Sequence, residues 1–215
     1  VDHYSIESPS GTSTIVLINS AHATLPVSLS VGNMGDGELQ ITGGSQVSNQ
    51  TGYIGFYSSG SVTVSGPNSK WENSDSLSLG YAGQATLNIT DGGVVACRAS
   101  SIGEYSASDN MATVAGPGSR WDITESLEVG LVGRATLRIT SGGSVNNADG
   151  YVGRYGALGT ATVGDPDSGM TSTWNSSGDL SVGTDPSGAY EVSTATLDII
   201  SSGRVSVTGT TNLWS

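Results

Sequence analysis

The sequence predicts an all-β protein, a right-handed parallel β-helix (β-solenoid) of about seven to eight coils with 23–30 residues per coil. The first reason is a long repeat whose anchor glycines lie 48, 50 and 53 residues apart, at Gly32, Gly80, Gly130 and Gly183. The second is a series of short runs that alternate apolar and polar residues between glycine-rich turns, as strands do. Such repeats stack, because one unit cannot bury its apolar face alone.

Each long unit consists of two similar halves, and one half is one coil. The second half opens with Tyr53-Ile54-Gly55, Ser101-Ile102-Gly103 or Tyr151-Val152-Gly153, which mirrors the opening of the first half. Counted over both halves, the anchor glycines advance by 23, 25, 23, 27, 23 and 30 residues. Two kinds of coil therefore alternate along the chain.

Each coil is predicted to contain two or three short strands. In the run from Ala85 to Ile89, alternation points Ala85, Leu87 and Ile89 inward. Leu77 and Leu79 form a second inward strand and Val95 a third. Successive coils then pair strand on strand at about 4.8 Å, and parallel crossovers are almost always right-handed. We expect Leu79, Leu87, Ile89, Leu137 and Ile139 to be buried.

The turns and corners also carry signals. Gly66-Pro67-Asn68-Ser69 has Pro at the second position of a β-turn. The anchor glycines indicate corners that need a positive φ or a close backbone approach. Tryptophan recurs on alternate coils, and we interpret it as filling a corner of the core rather than stacking on sugars: Trp71, Trp121 and Trp174.

A kelch-type propeller is the alternative fold, because its blades are near 50 residues long. Its four-stranded antiparallel blade offers no place for the half-repeat, which favours the β-helix.

Within that β-helix, the sequence predicts one outward threonine column, formed by Thr63, Thr86, Thr113, Thr136, Thr162 and Thr196. Threonine suits a solvated strand, so the column needs no ice-binding role.

Composition limits the function. The net charge is -12, and only seven Lys and Arg are scattered over 215 residues, which disfavours nucleic acid as a partner. No apolar run approaches the roughly 20 residues of a membrane span. One cysteine and two histidines build neither a disulfide nor a His/Cys metal cluster, and no cofactor is predicted. Cys97 takes the column position of Asn49 and Asn147, so we expect a small buried residue.

No column of the repeat collects acids. The residues after the anchor glycines are Asn33, Phe56, Tyr81, Glu104, Leu131, Arg154 and Thr184. The column two residues before those glycines holds Ser30, Tyr53, Ser78, Ser101, Glu128, Tyr151 and Ser181. His3 and His22 lie outside the repeat, so no histidine base is placed in a coil. The sequence therefore predicts no enzyme.

A weak calcium-loop candidate occurs at Asp165-Pro-Asp167-Ser-Gly169, with Asp179 and Asp185 nearby in sequence. Carboxylates and a glycine at a sharp turn are suitable for Ca²⁺. The full spacing of an EF-hand does not follow, and an ordinary Asp/Pro turn is the favoured interpretation.

The strings Gly-x-Ala-Thr-Leu-x-Ile-Thr-x-Gly-Gly-x-Val and Val-Ala-Gly-Pro-Gly-Ser-x-Trp resemble the repeat shared by autotransporter (type V secretion) passenger regions and PEP-CTERM-type exported bacterial proteins. The resemblance covers residues 28–207. It implies an exported β-solenoid at or beyond the bacterial surface, and it implies no catalytic residues. Because the chain starts at Val1 with no Met and no secretory segment, we expect either a mature exported protein whose signal peptide is removed or a cut fragment. The fourth unit departs from the pattern by an insertion between Gly183 and Ala195.

We divide the chain into residues 1–27, an N-terminal cap or donor strand, and residues 28–215, the β-solenoid domain. A β-helix exposes unpaired strand edges at both ends. The leading hypothesis is a noncatalytic extracellular structural protein whose copies join head to tail into a filament or matrix. The residues predicted to form the joint are Ile15, Val16, Leu17, Ile18, Leu213 and Trp214.

Two alternatives remain open. The first is an autotransporter-like stalk or adhesin that binds a surface glycan or host surface. The second, weaker one is a polysaccharide-active enzyme. Residues 1–27 would in that case fold back and cap their own first coil.

Overall fold

The computed structural model, which describes residues 3–8, 10–25, 27–105, 108–183 and 193–214, is a β-helix of three parallel sheets. The described residues contain 25 strands and no helix. The predicted fold class is thereby confirmed. The pairing between strands is parallel throughout, which rules out antiparallel propeller blades.

The strands fall into three sheets. Sheet A holds β1 (His3–Ile6), β4 (Ser28–Val31), β7 (Thr51–Ile54), β10 (Ser76–Leu79), β13 (Ala99–Ile102), β16 (Ser126–Val129), β19 (Asp149–Val152), β22 (Leu180–Val182) and β25 (Thr211–Leu213). Sheet B holds β2 (Thr12–Leu17), β5 (Asp36–Thr42), β8 (Gly60–Ser65), β11 (Ala85–Thr90), β14 (Asp109–Ala115), β17 (Arg134–Thr140), β20 (Leu158–Val163) and β23 (Thr194–Ile199). Sheet C holds β3 (His22–Thr24), β6 (Gln46–Asn49), β9 (Lys70–Asn73), β12 (Val94–Cys97), β15 (Arg120–Ile123), β18 (Ser144–Asn147), β21 (Ser172–Ser176) and β24 (Gly203–Val207).

One coil is one strand from each sheet in chain order. Coil 1 is β1–β3, coil 2 is β4–β6, and the numbering continues to coil 8, which is β22–β24. β25 then adds a ninth strand to sheet A alone. The core lies inside this stack, and the five residues predicted to be buried are fully buried, as predicted.

The corners follow the glycine signal. Gly55 and Gly80 have φ values of 67° and 72°. A Cβ on Gly55 would lie 2.3 Å from the carbonyl oxygen of Gln84 on the next coil, so a side chain is excluded there. The β-turn at Gly66 closes with a hydrogen bond from Ser69 N to Gly66 O at 3.2 Å.

The two kinds of coil have a packing reason. One inward row of sheet C alternates Val and Trp in successive coils: Val47, Trp71, Val95, Trp121, Val145, Trp174 and Val205. The facing row of sheet A alternates Leu with Gly or Ser: Leu29, Gly52, Leu77, Ser100, Leu127, Gly150 and Leu180. Each of coils 2 to 8 thus combines Leu with Val, or Gly or Ser with Trp. This keeps the core filled at nearly constant volume.

The β-helix begins earlier than the repeat signal indicates. Residues 3–24 form coil 1, and β2 pairs in parallel with β5, so that Ile15 faces Leu39 and Leu17 faces Ile41. The β-solenoid therefore starts before residue 28, the boundary predicted from the repeat. Coil 1 escaped detection because Glu7 stands where coil 2 has the anchor glycine Gly32. In addition, Asn19 and Ser20 adopt positive φ at a turn where coil 2 has glycines.

The predicted single threonine column is also wrong. Thr86 pairs with Ser61 and Met111, whereas Thr63 and Thr113 pair with Asn88. The six threonines therefore alternate between two columns that are two residues apart along the strands. A slip of two residues preserves the inward and outward alternation, so the pattern alone cannot detect it.

Candidate functional site

A shallow groove crosses the outer face of sheet A over coils 3 to 6. We call it the serine groove; it encloses about 380 Å³ and is lined by Tyr53, Phe56, Ser76, Leu77, Ser78, Tyr81, Ala99, Ser100, Ser101, Glu104, Ser126, Glu128 and Leu131. Its floor consists of outward positions on β10, β13 and β16. Apart from Glu128, these carry only the hydroxymethyl or methyl groups of Ser and Ala, which leaves room above the sheet.

Aromatic rings form one wall of the serine groove. Phe56 and Tyr81 follow the corner glycines of successive coils, and their rings stack at 4.8 Å between centroids and 24° between planes. Tyr53 projects from β7 and meets Phe56 edge-on at 4.8 Å. All three rings are half-buried. They lie outside the core, which Ile54 and Leu79 close beneath them.

Two carboxylates enter the groove from different columns. Glu104 follows a corner glycine, and its Oε2 accepts hydrogen bonds from Ser78 Oγ at 2.5 Å and Ser101 Oγ at 3.2 Å. Glu128 projects from β16, and its Oε1 accepts a bond from Arg154 Nη1 at 2.6 Å. Among the residues that the structure describes, Glu104 forms no ion pair. The groove therefore contains one carboxylate that is paired with a cation, Glu128, and one that is not, Glu104.

Burial and charge alter the acid–base behaviour of the groove. Burial raises the pKa of Glu128, and the Arg154 guanidinium opposes that rise. Burial also raises the pKa of the Tyr53 phenol, and the Glu104 charge raises it further. The Arg154 guanidinium lies 4.1 Å from the centroid of the Tyr151 ring. A cation and a ring therefore lie on the outer face at β19, next to the last strand of the groove.

The serine groove was not predicted, although its residues stand in the two columns tested for acids. Each column contributes one carboxylate to the groove, Glu104 from one and Glu128 from the other, so neither column alone collects acids. The signal that would have found it is the combination of aromatic residues in one column with serines in the adjacent column. This combination occurs twice, with Phe56 beside Ser78 and with Tyr81 beside Ser101.

The residues predicted for self-assembly lie at opposite ends of the β-helix. Ile15 is 45% exposed although it belongs to an inward row, because among the described residues coil 1 is covered on one side only, by coil 2. Val16 and Ile18 are exposed and Leu17 is half-buried. At the other end Leu213 is 73% exposed and Trp214 is also exposed.

The calcium candidate is an ordinary turn in the described part of the loop. Asp165 Oδ1 accepts a bond from Asp167 N at 2.9 Å, and its Oδ2 accepts one from Ser141 Oγ at 2.8 Å. These bonds lower the pKa of the Asp165 carboxyl. Asp185 lies outside the described residues. Elsewhere in the described ranges, no group of three or more His, Cys, Asp or Glu is arranged to hold a metal ion.

Comparison with family models, curated proteins and solved structures finds no match to this chain. The described residues include no helix that is long and apolar enough to cross a membrane.

Proposed function

We propose that this chain is a noncatalytic structural protein of the cell exterior whose copies stack end to end. The observation that carries the proposal is that the two end coils present matching faces. The location outside the cell rests on the resemblance to exported repeats, and secretion of the full-length gene product would test it.

The inward rows continue from the last coil of one copy to the first coil of the next. Sheet B ends with Leu197 and Ile199 in the rows that begin with Ile15 and Leu17. Sheet C ends with Val205 in the row that begins with Ala23. Stacking in register would therefore bury aliphatic side chains against aliphatic side chains in both sheets.

Sheet A requires one adjustment. β25 occupies the position on β22 that β1 of the next copy needs if sheets B and C are to join without a gap. β25 has three residues, none of them buried, whereas β1 has four and contributes the buried Ile6. We therefore expect β25 to leave, so that Ile6 of the next copy lies beside Val182. β25 then limits assembly, because it must detach first. In this arrangement Leu213 and Trp214, predicted to form part of the joint, make way for β1 of the next copy.

Such a joint does not close on itself. The two faces differ, so the contact is heterologous and each copy added exposes the same free face again, which produces fibres. The strand edges that a β-helix leaves unpaired would then bond to the next copy.

Engineered cysteines test the register. In a Cys97→Ala background, Thr14→Cys and Thr196→Cys are prepared as separate proteins and mixed under oxidation. The two positions share one outward column, so strand spacing places their Cα atoms about 4.8 Å apart across the joint, within disulfide range. We expect covalent dimers from the mixture and none from either protein alone.

The control replaces Thr196→Cys by Asp198→Cys, which is offset by two residues along the same strand. A disulfide is then out of reach, because the offset adds about 6.6 Å along the strand. Equal cross-linking of both pairs would contradict the register.

Deletion of residues 210–215 tests the role of β25. We expect longer polymers in electron microscopy and sedimentation than the full chain forms, because the position beside β22 becomes vacant. A chain that stays monomeric at high concentration both with and without β25 would refute end-to-end stacking.

A further inference from the structure

We propose that the serine groove binds a neutral, polyhydroxylated chain such as an oligosaccharide, laid along the axis of the β-helix. This inference is independent of end-to-end stacking, since the groove lies on the side of coils 3 to 6. It rests on the shape, the ring surface and the charge of the groove.

The shape suits an extended ligand. The open floor crosses β10, β13 and β16, and Tyr53 and Tyr151 stand four strands apart on the same outer face, which is about 19 Å at one strand spacing per coil. The volume of about 380 Å³ is in the range of ligand sites. A ligand lying along the axis crosses several coils and meets the outward side chains of each.

The side chains combine apolar ring surface with hydroxyl and carboxylate groups. Tyr53, Phe56 and Tyr81 each leave ring surface open on one side of the floor. Sugar rings have C–H faces that pack on such surfaces and hydroxyl edges that need hydrogen-bond partners. Tyrosine supplies both kinds of contact at one position.

Glu104 is the group best placed to accept a ligand hydroxyl. Its Oε2 already accepts bonds from Ser78 and Ser101, which fixes the carboxylate in the groove. No described residue donates a hydrogen bond to its Oε1, which can therefore accept one from the ligand. A charged acceptor makes hydrogen bonds that are about twice as strong as neutral ones.

Charge selects against acidic chains. The groove holds two carboxylates against the single guanidinium of Arg154, and the whole chain carries a net charge of -12. A uronate or sulfate group would meet like charges. The ligand we infer is therefore uncharged.

Calorimetry with cellohexaose, xylohexaose and hexagalacturonate tests the inference. We expect at least one neutral hexasaccharide to bind, and hexagalacturonate to bind roughly tenfold more weakly or not at all. Tyr81→Ala should weaken binding by roughly two- to tenfold through loss of one ring contact. Tyr57→Ala is the matched control, because Tyr57 belongs to the same ring cluster but does not line the groove, and it should bind as the wild type does.

Glu104→Gln separates ligand binding from a structural role. It removes the charge and keeps the size, so binding of the neutral sugar should weaken while discrimination against hexagalacturonate decreases. Ser126→Trp, which fills the floor and leaves the aromatic wall intact, should abolish binding with an unchanged far-ultraviolet spectrum.

Three outcomes would overturn the inference. Neither neutral sugar binds at millimolar concentration, or Tyr57→Ala weakens binding as much as Tyr81→Ala does. Release of reducing ends from either sugar would show a catalytic site with Glu104 and Glu128 as its acids instead of a binding site.

Discussion

Two kinds of tryptophan corner occur in this β-helix, and they differ in how the indole N–H is satisfied. Trp71 Nε1 donates to Asn49 Oδ1 at 2.7 Å and Trp174 Nε1 donates to Asn147 Oδ1 at 2.6 Å. Trp121, between them along the axis, is equally buried, but its Nε1 has no hydrogen-bond partner among the described residues.

The difference arises from one column of sheet C. Asn49 and Asn147 each accept a hydrogen bond from the indole N–H. Each also donates one from its own amide to the next residue in the column, Asn49 to Asn73 Oδ1 and Asn147 to Ser176 Oγ. At the middle corner that pair is Cys97 and Ile123. A thiol is a weak acceptor, so the indole gains a contact but no hydrogen bond.

The comparison teaches that the two column residues beside a tryptophan can both be polar or both be apolar in a corner of the same shape. A polar residue next to an apolar one leaves a hydrogen-bonding group without a partner. Asn73, where the polar residues of the column meet the apolar ones, shows the cost of such a mismatch. Within the part of the chain that the structure describes, its Nδ2 is buried without a hydrogen-bond partner, because the next residue in the column is Cys97. Leaving a buried donor unpaired costs about 1–3 kcal/mol.

The largest effect is expected from breaking a polar corner. Asn147→Val removes the acceptor of Trp174 Nε1 and the donor to Ser176, and should lower the free energy of unfolding by about 2–3 kcal/mol. Cys97→Val, at the equivalent position of the middle corner, should cost less than about 1.5 kcal/mol, because it exchanges one small apolar group for another. Chemical denaturation of both variants measures the difference, and equal costs would refute the comparison.

The tryptophans themselves should respond in the same order. Trp174→Phe and Trp121→Phe remove the same volume, but only the first leaves Asn147 Oδ1 without its donor. We expect Trp174→Phe to be more destabilising by about 1–2 kcal/mol. Melting curves that show Trp121→Phe as the worse variant would mean that its indole N–H has a partner.

The middle corner should also be the alkaline-sensitive one. Burial raises the pKa of Cys97 from its ordinary value of 9.0 to about 12, contact with Trp121 lowers it slightly, and the Asp122 charge adds to the rise. The folded state therefore holds the thiol proton more tightly. This stability is complete below pH 9 and is lost as the pH rises towards 12. At pH 10 the loss is about 1.4 kcal/mol.

The difference between wild type and Cys97→Ala isolates that loss from the titration of tyrosines. The stability of the two proteins should converge as the pH rises above 9. Curves that stay parallel from pH 8 to pH 11 would show that the thiol is not buried.

The smallest effect sharpens the comparison by rebuilding the missing polar pair. Cys97→Asn alone places an amide N–H against Ile123, and Ile123→Ser alone places a hydroxyl against Cys97. Together they supply an acceptor for Trp121 Nε1 and a partner for the new amide. A double-mutant cycle should show a favourable coupling of about 0.5–1 kcal/mol, and strictly additive costs would contradict it.

Much of this architecture is fixed by the sequence. The anchor glycines, the inward rows and the equivalence of Cys97 with Asn49 and Asn147 were predicted from spacing and are present in the structure. They are predictable because each is local. A corner needs a positive φ, and an inward residue needs a neighbour two positions away on the same strand.

Three features are decided only by the tertiary structure. The threonine register depends on how each corner positions the next strand, since a slip of two residues leaves the alternation unchanged. Coil 1 forms without the glycine signature, because pairing with coil 2 supports Asn19 and Ser20 in a conformation that glycine adopts freely.

The third is the serine groove. It brings Glu104 and Glu128 to one surface, although they belong to different columns and to successive coils. The course of the backbone at the corners brings them together, and the pattern of neither column shows that course. The sequence specifies what each coil places inward, because burial is repeated at every rung. Which outward side chains meet is decided by stacking and by the course of the corners, which no single strand pattern determines.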